Sequence, residues 1–228
     1  MSRFGQGRSP HSSMIHLNGN LLCAVDVETT GVDPLVHDIW QIAVLPLDSN
    51  IKPLKGVMPF YLDMKLKRPE TVDYKALRVG KANLTELQLR AVDPWKGVDM
   101  FIEWFERLGL PEKKKISPLA SNWLFDRDFI IEWMGRQSFD YYFHFHYRDT
   151  QASALYMNDR ADQHIERVPH PKVGLPYLGS LYSVTNLKAH DALQDCIATA
   201  EVYRRMCTAY TPLVPGTKMI EPLDINKY

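Results

Sequence analysis

The run Leu21-Leu22-Cys23-Ala24-Val25 leads directly into Asp26-Val27-Glu28-Thr29-Thr30-Gly31. The first five residues are small or apolar without alternation, the pattern of a strand buried on both faces. Side chains two positions apart on a strand project to the same side. Asp26 and Glu28 are thus brought together at the end of a core strand, where like charges repel and lose hydration. A chain that folds this way needs something to offset that charge, and a divalent cation is the simplest answer. Thr29, Thr30 and Gly31 then turn the chain away.

Periodicity places the other elements. Strand patterns at 21–28, 39–47 and about 56–62, closely spaced, suit a three-stranded antiparallel meander. A helix is suggested around 85–91. Asp93 and Pro94 read as N-cap and first turn of another, with Val98, Phe101, Ile102, Phe105 and Leu108 on one face and Gly109 as its stop. A strand at 116–121 leads to a helix carrying Phe129, Ile130, Trp133 and Met134. The aromatic stretch 141–149 reads as a strand, 150–157 as a helix, 158–177 as a loop, and Leu178 and Leu181 as a short helix. A long helix spans about 189–210. Strands followed by alternating helices and strands predict one α/β domain over 20–210, with a flexible arm at 1–19 and a tail at 211–228.

Two further acidic segments lie at informative places. Asn122-Trp123-Leu124-Phe125-Asp126-Arg127-Asp128 opens a helix just after a strand. A carboxylate at a helix N-terminus is tolerated, and ligand sites in α/β sheets gather at such strand ends. Either Asp126 or Asp128 fits as a ligand or as a cap. The third segment is His190-Asp191-Ala192-Leu193-Gln194-Asp195. If helical throughout, it separates His190 from Asp195 by roughly 7.5 Å along the axis. Asp191 is the rival of Asp195, since the two share a helix face. Asp26, Glu28, Asp126 and Asp195 give four hard oxygen donors, which suit Mg²⁺ or Mn²⁺ rather than zinc. Two such ions can bind the attacking and leaving oxygens of a phosphodiester displacement, with His190 available to take a proton. Trp123 is a candidate platform for stacking a base.

These ordered motifs resemble the DEDDh 3′→5′ exonucleases, the superfamily of the polymerase III proofreading subunit, RNase T and oligoribonuclease, with phage-encoded relatives. The matching segments are Asp26-Val27-Glu28-Thr29-Thr30-Gly31, Asn122-x-x-Phe125-Asp126 and His190-x-Ala192-x-x-Asp195, with Asp149-Thr150 and Leu178-x-x-Leu181 between. Many relatives carry histidine where Ser121 stands. The resemblance implies an RNase H-like fold with a central five-stranded mixed sheet flanked by helices. It implies that Asp26, Glu28 and Asp195 bind one metal, that Asp26 bridges to a second, and that Asp126 supports the second through water. His190 would be the general base. Thr29 and Thr30, with Asn122 and Trp123, would meet the substrate. The implied activity is removal of nucleoside monophosphates from the 3′ end of a single strand, DNA slightly favoured over RNA. An exoribonuclease or oligoribonuclease, or a non-catalytic nucleic-acid-binding subunit, is the alternative.

Composition narrows the partners. The 27 basic and 27 acidic residues cancel, so any nucleic acid is gripped locally rather than by a global field. Cys23, Cys196 and Cys207 form no paired framework, which suits a reducing compartment. No apolar run approaches the roughly 20 residues of a membrane span. The expectation is a cytoplasmic protein, with a homodimer or a polymerase partner left open.

Overall fold

The computed structural model describes residues 19–76, 83–186 and 188–208. The arm before residue 19, the tail and the last two residues of the final helix expected from the sequence lie outside them. A five-stranded sheet has the order β3-β2-β1-β4-β5. Its strands are β1 Leu21–Thr29, β2 Ile39–Pro46, β3 Phe60–Asp63, β4 Ile116–Ala120 and β5 Arg148–Asp149. β1, β2 and β3 form the antiparallel meander, and β4 and β5 then add parallel on the other side of β1. The sheet is therefore mixed, as the resemblance implied. β1 lies at its centre, which explains why its first five residues are apolar on both faces.

The helices are α1 Leu84–Arg90, α2 Pro94–Arg107, α3 Trp123–Met134, α4 Arg136–Tyr142, α5 Thr150–Gln163, α6 Leu175–Leu181 and α7 Ala192–Thr208. One sheet face packs Cys23, Val25, Val27, Ile42 and Val44 against Phe101, Trp104, Phe129 and Trp133 of α2 and α3. The opposite face offers Leu22, Ala24, Ala43, Leu45 and Leu119 to Ala192, Cys196 and Ala200 of α7. Small residues on that helix face let α7 lie close to the sheet. Asp26 and Glu28 share the alternation of Leu22 and Ala24, so they emerge on the α7 side where β1 leaves the core.

Local chemistry sets the boundaries. Asp93 accepts from Trp95 N–H at 3.0 Å and caps α2, and Gly109 ends that turn at φ 60°. Three expectations need correction. The stretch 141–149 is not a strand: α4 occupies its start, with Phe139 and Phe143 one turn apart and stacked at 5.0 Å. Aromatic residues suit both strands and packed helices, and here the helix spacing won. Of this stretch, Arg148 and Asp149 form the strand paired with β4, and Phe143 makes an isolated bridge to Ile116. The 158–177 stretch is partly helical, since α5 runs on to Gln163 and α6 begins at Leu175. Finally, α7 starts at Ala192 rather than 189. His190 has φ 69°, which no helix residue adopts, and Asp191 accepts from Gln194 N–H at 3.1 Å, as a cap does.

Asp149 joins the two helix openings nearest the site. Its Oδ1 accepts from Gln151 and Ala152 N–H of α5, and its Oδ2 from Trp123 N–H of α3 at 2.6 Å. Asp149→Ala is expected to orphan donors at both helices and cost about 3 kcal/mol, readable as a lower urea midpoint with unchanged slope.

Candidate active site

The carboxyl ends of β1 and β4 and the start of α7 converge on one cleft of about 630 Å³. Asp26, Ser121, Gln151, Asn186, His190 and Asp195 are among its lining residues. β4 pairs with β1 only as far as Ala24, so the β1 backbone beyond has no partner on that side. Asp126 fills the gap: buried in the first turn of α3, its Oδ1 accepts from Val27 N–H at 3.0 Å, between Asp26 and Glu28. Asp195 is held at both oxygens. Asn186 Nδ2 donates to Oδ1, and His190 N–H donates to Oδ2 at 3.1 Å. The left-handed backbone at His190 folds the residue back over the helix start. A ligand atom from each of Glu28, His190 and Asp195 then lies within 4.8 Å of the other two.

This replaces the helical separation expected for His190 and Asp195, since His190 precedes the helix. The rivals also resolve. Asp128 turns outward to Arg127 at 2.7 Å. Asp191 caps α7 and accepts from Tyr61 Oη at 3.1 Å. Asp126 and Asp195 are the two that face β1.

The electrostatics are one-sided. Burial pushes the Asp26 carboxyl well above the usual carboxylate range, and Asp126, Asp195, Glu28 and Asp191 push it further. Burial, then Asp195 and Asp191, raise Glu28 to about 8. Asp126 is raised chiefly by burial, although its hydrogen bond from Val27 opposes this. Burial also raises Asp195, against the bonds from Asn186 and His190. The Ser121 hydroxyl, on the same cleft, is buried without a partner among the described residues. Packed acids that hold one another's protons, beside an unsatisfied hydroxyl, match what a hard divalent cation requires.

The expected substrate contacts fare differently. Thr29 is half-buried and donates from Oγ1 to Gly31 O at 2.6 Å. Thr30 is not a substrate contact. It is fully buried, its N–H donates to Asp38 O, its carbonyl accepts from Asp73, and its hydroxyl accepts from Asp38 N–H at 2.9 Å. Gly31 follows because a Cβ there would stand 2.2 Å from the His37 ring. Asn122 adopts φ 77°, a conformation asparagine tolerates, and so lets the chain turn from β4 into α3. Trp123 is no stacking platform: it is 2% exposed and packs on Phe139, Phe143 and Tyr147. Its position after the turn points the ring into the core. Sequence reading missed Asn186, whose role depends on a fold contact nine residues from Asp195 and leaves no local pattern.

The exonuclease family model RNase T matches residues 23–203. The chain belongs to the RNase T exonuclease family. It is a member of the DEDDh 3′→5′ exonuclease family and has the five-stranded mixed sheet and flanking helices of that fold. Exonuclease I from Methylocaldum szegediense superposes with a TM-score of 0.63 at 20% identity, over 83% of this chain and 40% of that one. Cell-death related nuclease 4 gives 0.61 at 16% identity, over 83% and 64%. E. coli exonuclease I in complex with a dA16 oligonucleotide gives 0.60 at 19%, over 83% and 41%. The chain thus spans about two fifths of the length of the exonuclease I structures. No curated protein matches it significantly by sequence. Among the described residues no helix is long and apolar enough to cross a membrane.

The raised carboxyls make stability depend on pH and metal. A group whose folded pKa lies above its unfolded value stabilises the fold below the unfolded pKa and loses that contribution as pH rises through the folded one. For Glu28 the window runs from its ordinary 4.5 to about 8. The metal-free protein is therefore expected to melt at progressively lower temperature as pH rises across that window. Added Mn²⁺ should restore the loss, with its largest effect at the alkaline end, where the carboxylates are ionised. Differential scanning fluorimetry with EDTA or Mn²⁺ reads both slopes.

Proposed function

We propose that the exonuclease hydrolyses single-stranded nucleic acid from its 3′ end, DNA in preference to RNA, by a two-metal-ion mechanism that releases nucleoside 5′-monophosphates. The observation that carries this reading is the convergence of Asp26, Glu28, Asp126 and Asp195 with His190 at one cleft. Asp26, Glu28 and Asp195 are the residues to hold one Mg²⁺ or Mn²⁺, and Asp26 with Asp126 the second. Such ions supply Lewis-acid stabilisation of the attacking and leaving oxygens. The protein's own part is positioning. Val27 N–H fixes the Asp126 carboxylate, and Asn186 with the His190 backbone fixes that of Asp195. The His190 imidazole, with a ring nitrogen within 4.8 Å of carboxylate oxygens of Glu28 and Asp195, would take the proton of the attacking water as its oxygen bonds to phosphorus, while the P–O3′ bond breaks and the 3′ oxygen of the preceding nucleotide leaves. Thr29, at the turn after Glu28, and Asn122, exposed at the turn before α3, are the candidates for contact with the terminal nucleotide.

A cleft of about 630 Å³ suits an unpaired end better than a duplex. The preference for DNA takes its support from exonuclease I, whose structures include complexes with dA16 and dT13. The complete set of acids with His190 argues against a non-catalytic subunit.

Matched single-stranded DNA and RNA, labelled at the 5′ end so that shortening from the 3′ end shows as a ladder, test the proposal with Mn²⁺ and with EDTA. Metal-dependent shortening of DNA ahead of RNA is expected. Faster loss of RNA would reassign the substrate, and no shortening of either would overturn the activity. Asp26→Asn should lower the rate by about a thousandfold, several kcal/mol of transition-state stabilisation. It should leave the metal-free melting temperature equal or higher, because a repelling charge is gone.

A further inference from the structure

Two parts of the site come from different elements, and a buried amide lies between them. Asp26 and Glu28 belong to β1, whereas His190 and Asp195 belong to the start of α7. The contact between α7 and the sheet is formed by Ala192, Cys196, Ala200 and their apolar neighbours. Apolar packing is non-directional, so it sets the distance of the helix from the sheet better than its position along it. Gln41 supplies direction. It is 5% exposed and stands directly opposite Glu28 in the β1–β2 ladder. Its Oε1 accepts from Ala192 N–H at 2.8 Å, and its Nε2 donates to Asp63 Oδ1 at 2.7 Å and to Tyr61 Oη at 2.9 Å. The amide orientation follows from these partners, since a backbone N–H only donates and an ionised carboxylate only accepts. Tyr61 Oη in turn donates to Asp191 Oδ2 at 3.1 Å. Two successive residues at the helix opening, Asp191 and Ala192, are therefore tied to β2 and β3.

We propose that Gln41 is a positioning residue of the exonuclease, and that its acceptor arm sets His190 and Asp195 against Glu28. The proposal rests on the two-metal reading of the site. Among the described residues the side chain of Gln41 hydrogen-bonds to Tyr61, Asp63 and Ala192 and to none of the four carboxylates, so its effect passes through α7. Losing the latch should misplace ligands made on α7 while leaving those made on β1.

The test compares Gln41→Leu, which removes both arms, with Asp63→Ala, which leaves the Gln41 acceptor on Ala192 N–H and removes one partner of the donor arm. Three quantities are measured on the full chain: turnover on a single-stranded DNA oligonucleotide, the KM for that oligonucleotide, and Mn²⁺ affinity by calorimetry without substrate. Gln41→Leu is expected to lose on the order of tenfold to a hundredfold in turnover, the cost of a displacement near 1 Å. It should also weaken Mn²⁺ binding several-fold, with KM changed less than about twofold, because the nucleotide-facing turn of β1 is untouched. Asp63→Ala should keep most of the Mn²⁺ affinity. Wild-type turnover and Mn²⁺ affinity in Gln41→Leu would overturn the proposal, as would an Asp63→Ala variant impaired as severely as Gln41→Leu. If Gln41→Leu does not fold, Gln41→Asn, an amide one methylene too short for Ala192 N–H, takes its place, and unchanged Mn²⁺ affinity in that variant overturns the proposal. A parent protein that binds Mn²⁺ but cleaves nothing would instead count against the proposed activity.

Discussion

Carboxylates that repel one another sit where β1 leaves the core, and the architecture around them exists to hold that repulsion in place. Asp26 and Glu28 are forced onto one side by strand geometry. Asp126 comes from α3 because a strand edge beyond the reach of β4 leaves Val27 N–H to be satisfied. Asp195 comes from α7, and its two oxygens are committed to Asn186 and to the His190 backbone. None of these bonds neutralises the charge. The cluster costs stability, and under the proposed mechanism a bound cation would restore it. Function and fragility at this end of the sheet have the same origin.

Hydrogen bonds of long sequence separation do the aligning. Asp149 ties the openings of α3 and α5 together, and Gln41 ties the opening of α7 to β2 and β3. Each bond links helix starts to strands near the same end of the sheet. The α2 and α3 side of the sheet, by contrast, is apolar and aromatic, with Phe101 in contact with Trp104, Trp133 and Phe143. The α2 and α3 layer supplies most of the cohesion and lends Asp126 to the cluster, whose other members come from β1 and the opening of α7.

Much of this was legible in the sequence where the signal is local. The unalternating run before Asp26 located the central strand. The two-residue spacing to Glu28 put both acids on one side, and Asp93 before Pro94 marked the start of α2. Choices between equivalent local signals were not legible. Asp126 and Asp128 are both acids in the first turn of α3, and only burial against Val27 separates them. Asp191 and Asp195 share a helix face, and the cap geometry of Asp191 decides. The start of α7 depends on a left-handed residue that no propensity marks at a histidine. Trp123 was misjudged because an aromatic near an active site serves stacking and packing equally well until the neighbours are known. Gln41 lies in a strand with nothing in its surroundings to distinguish it, and its partners are 20 to 151 residues away.

The central claim is that the four carboxylates form one cage for paired cations. Anomalous scattering from crystals of the Asp26-intact protein grown with Mn²⁺ and a non-hydrolysable oligonucleotide measures this directly. The account expects two peaks about 3.5–4 Å apart, one against Asp26, Glu28 and Asp195 and the other beside Asp26 and Asp126. Absence of any peak at these residues, or manganese bound only elsewhere on the protein, would contradict it.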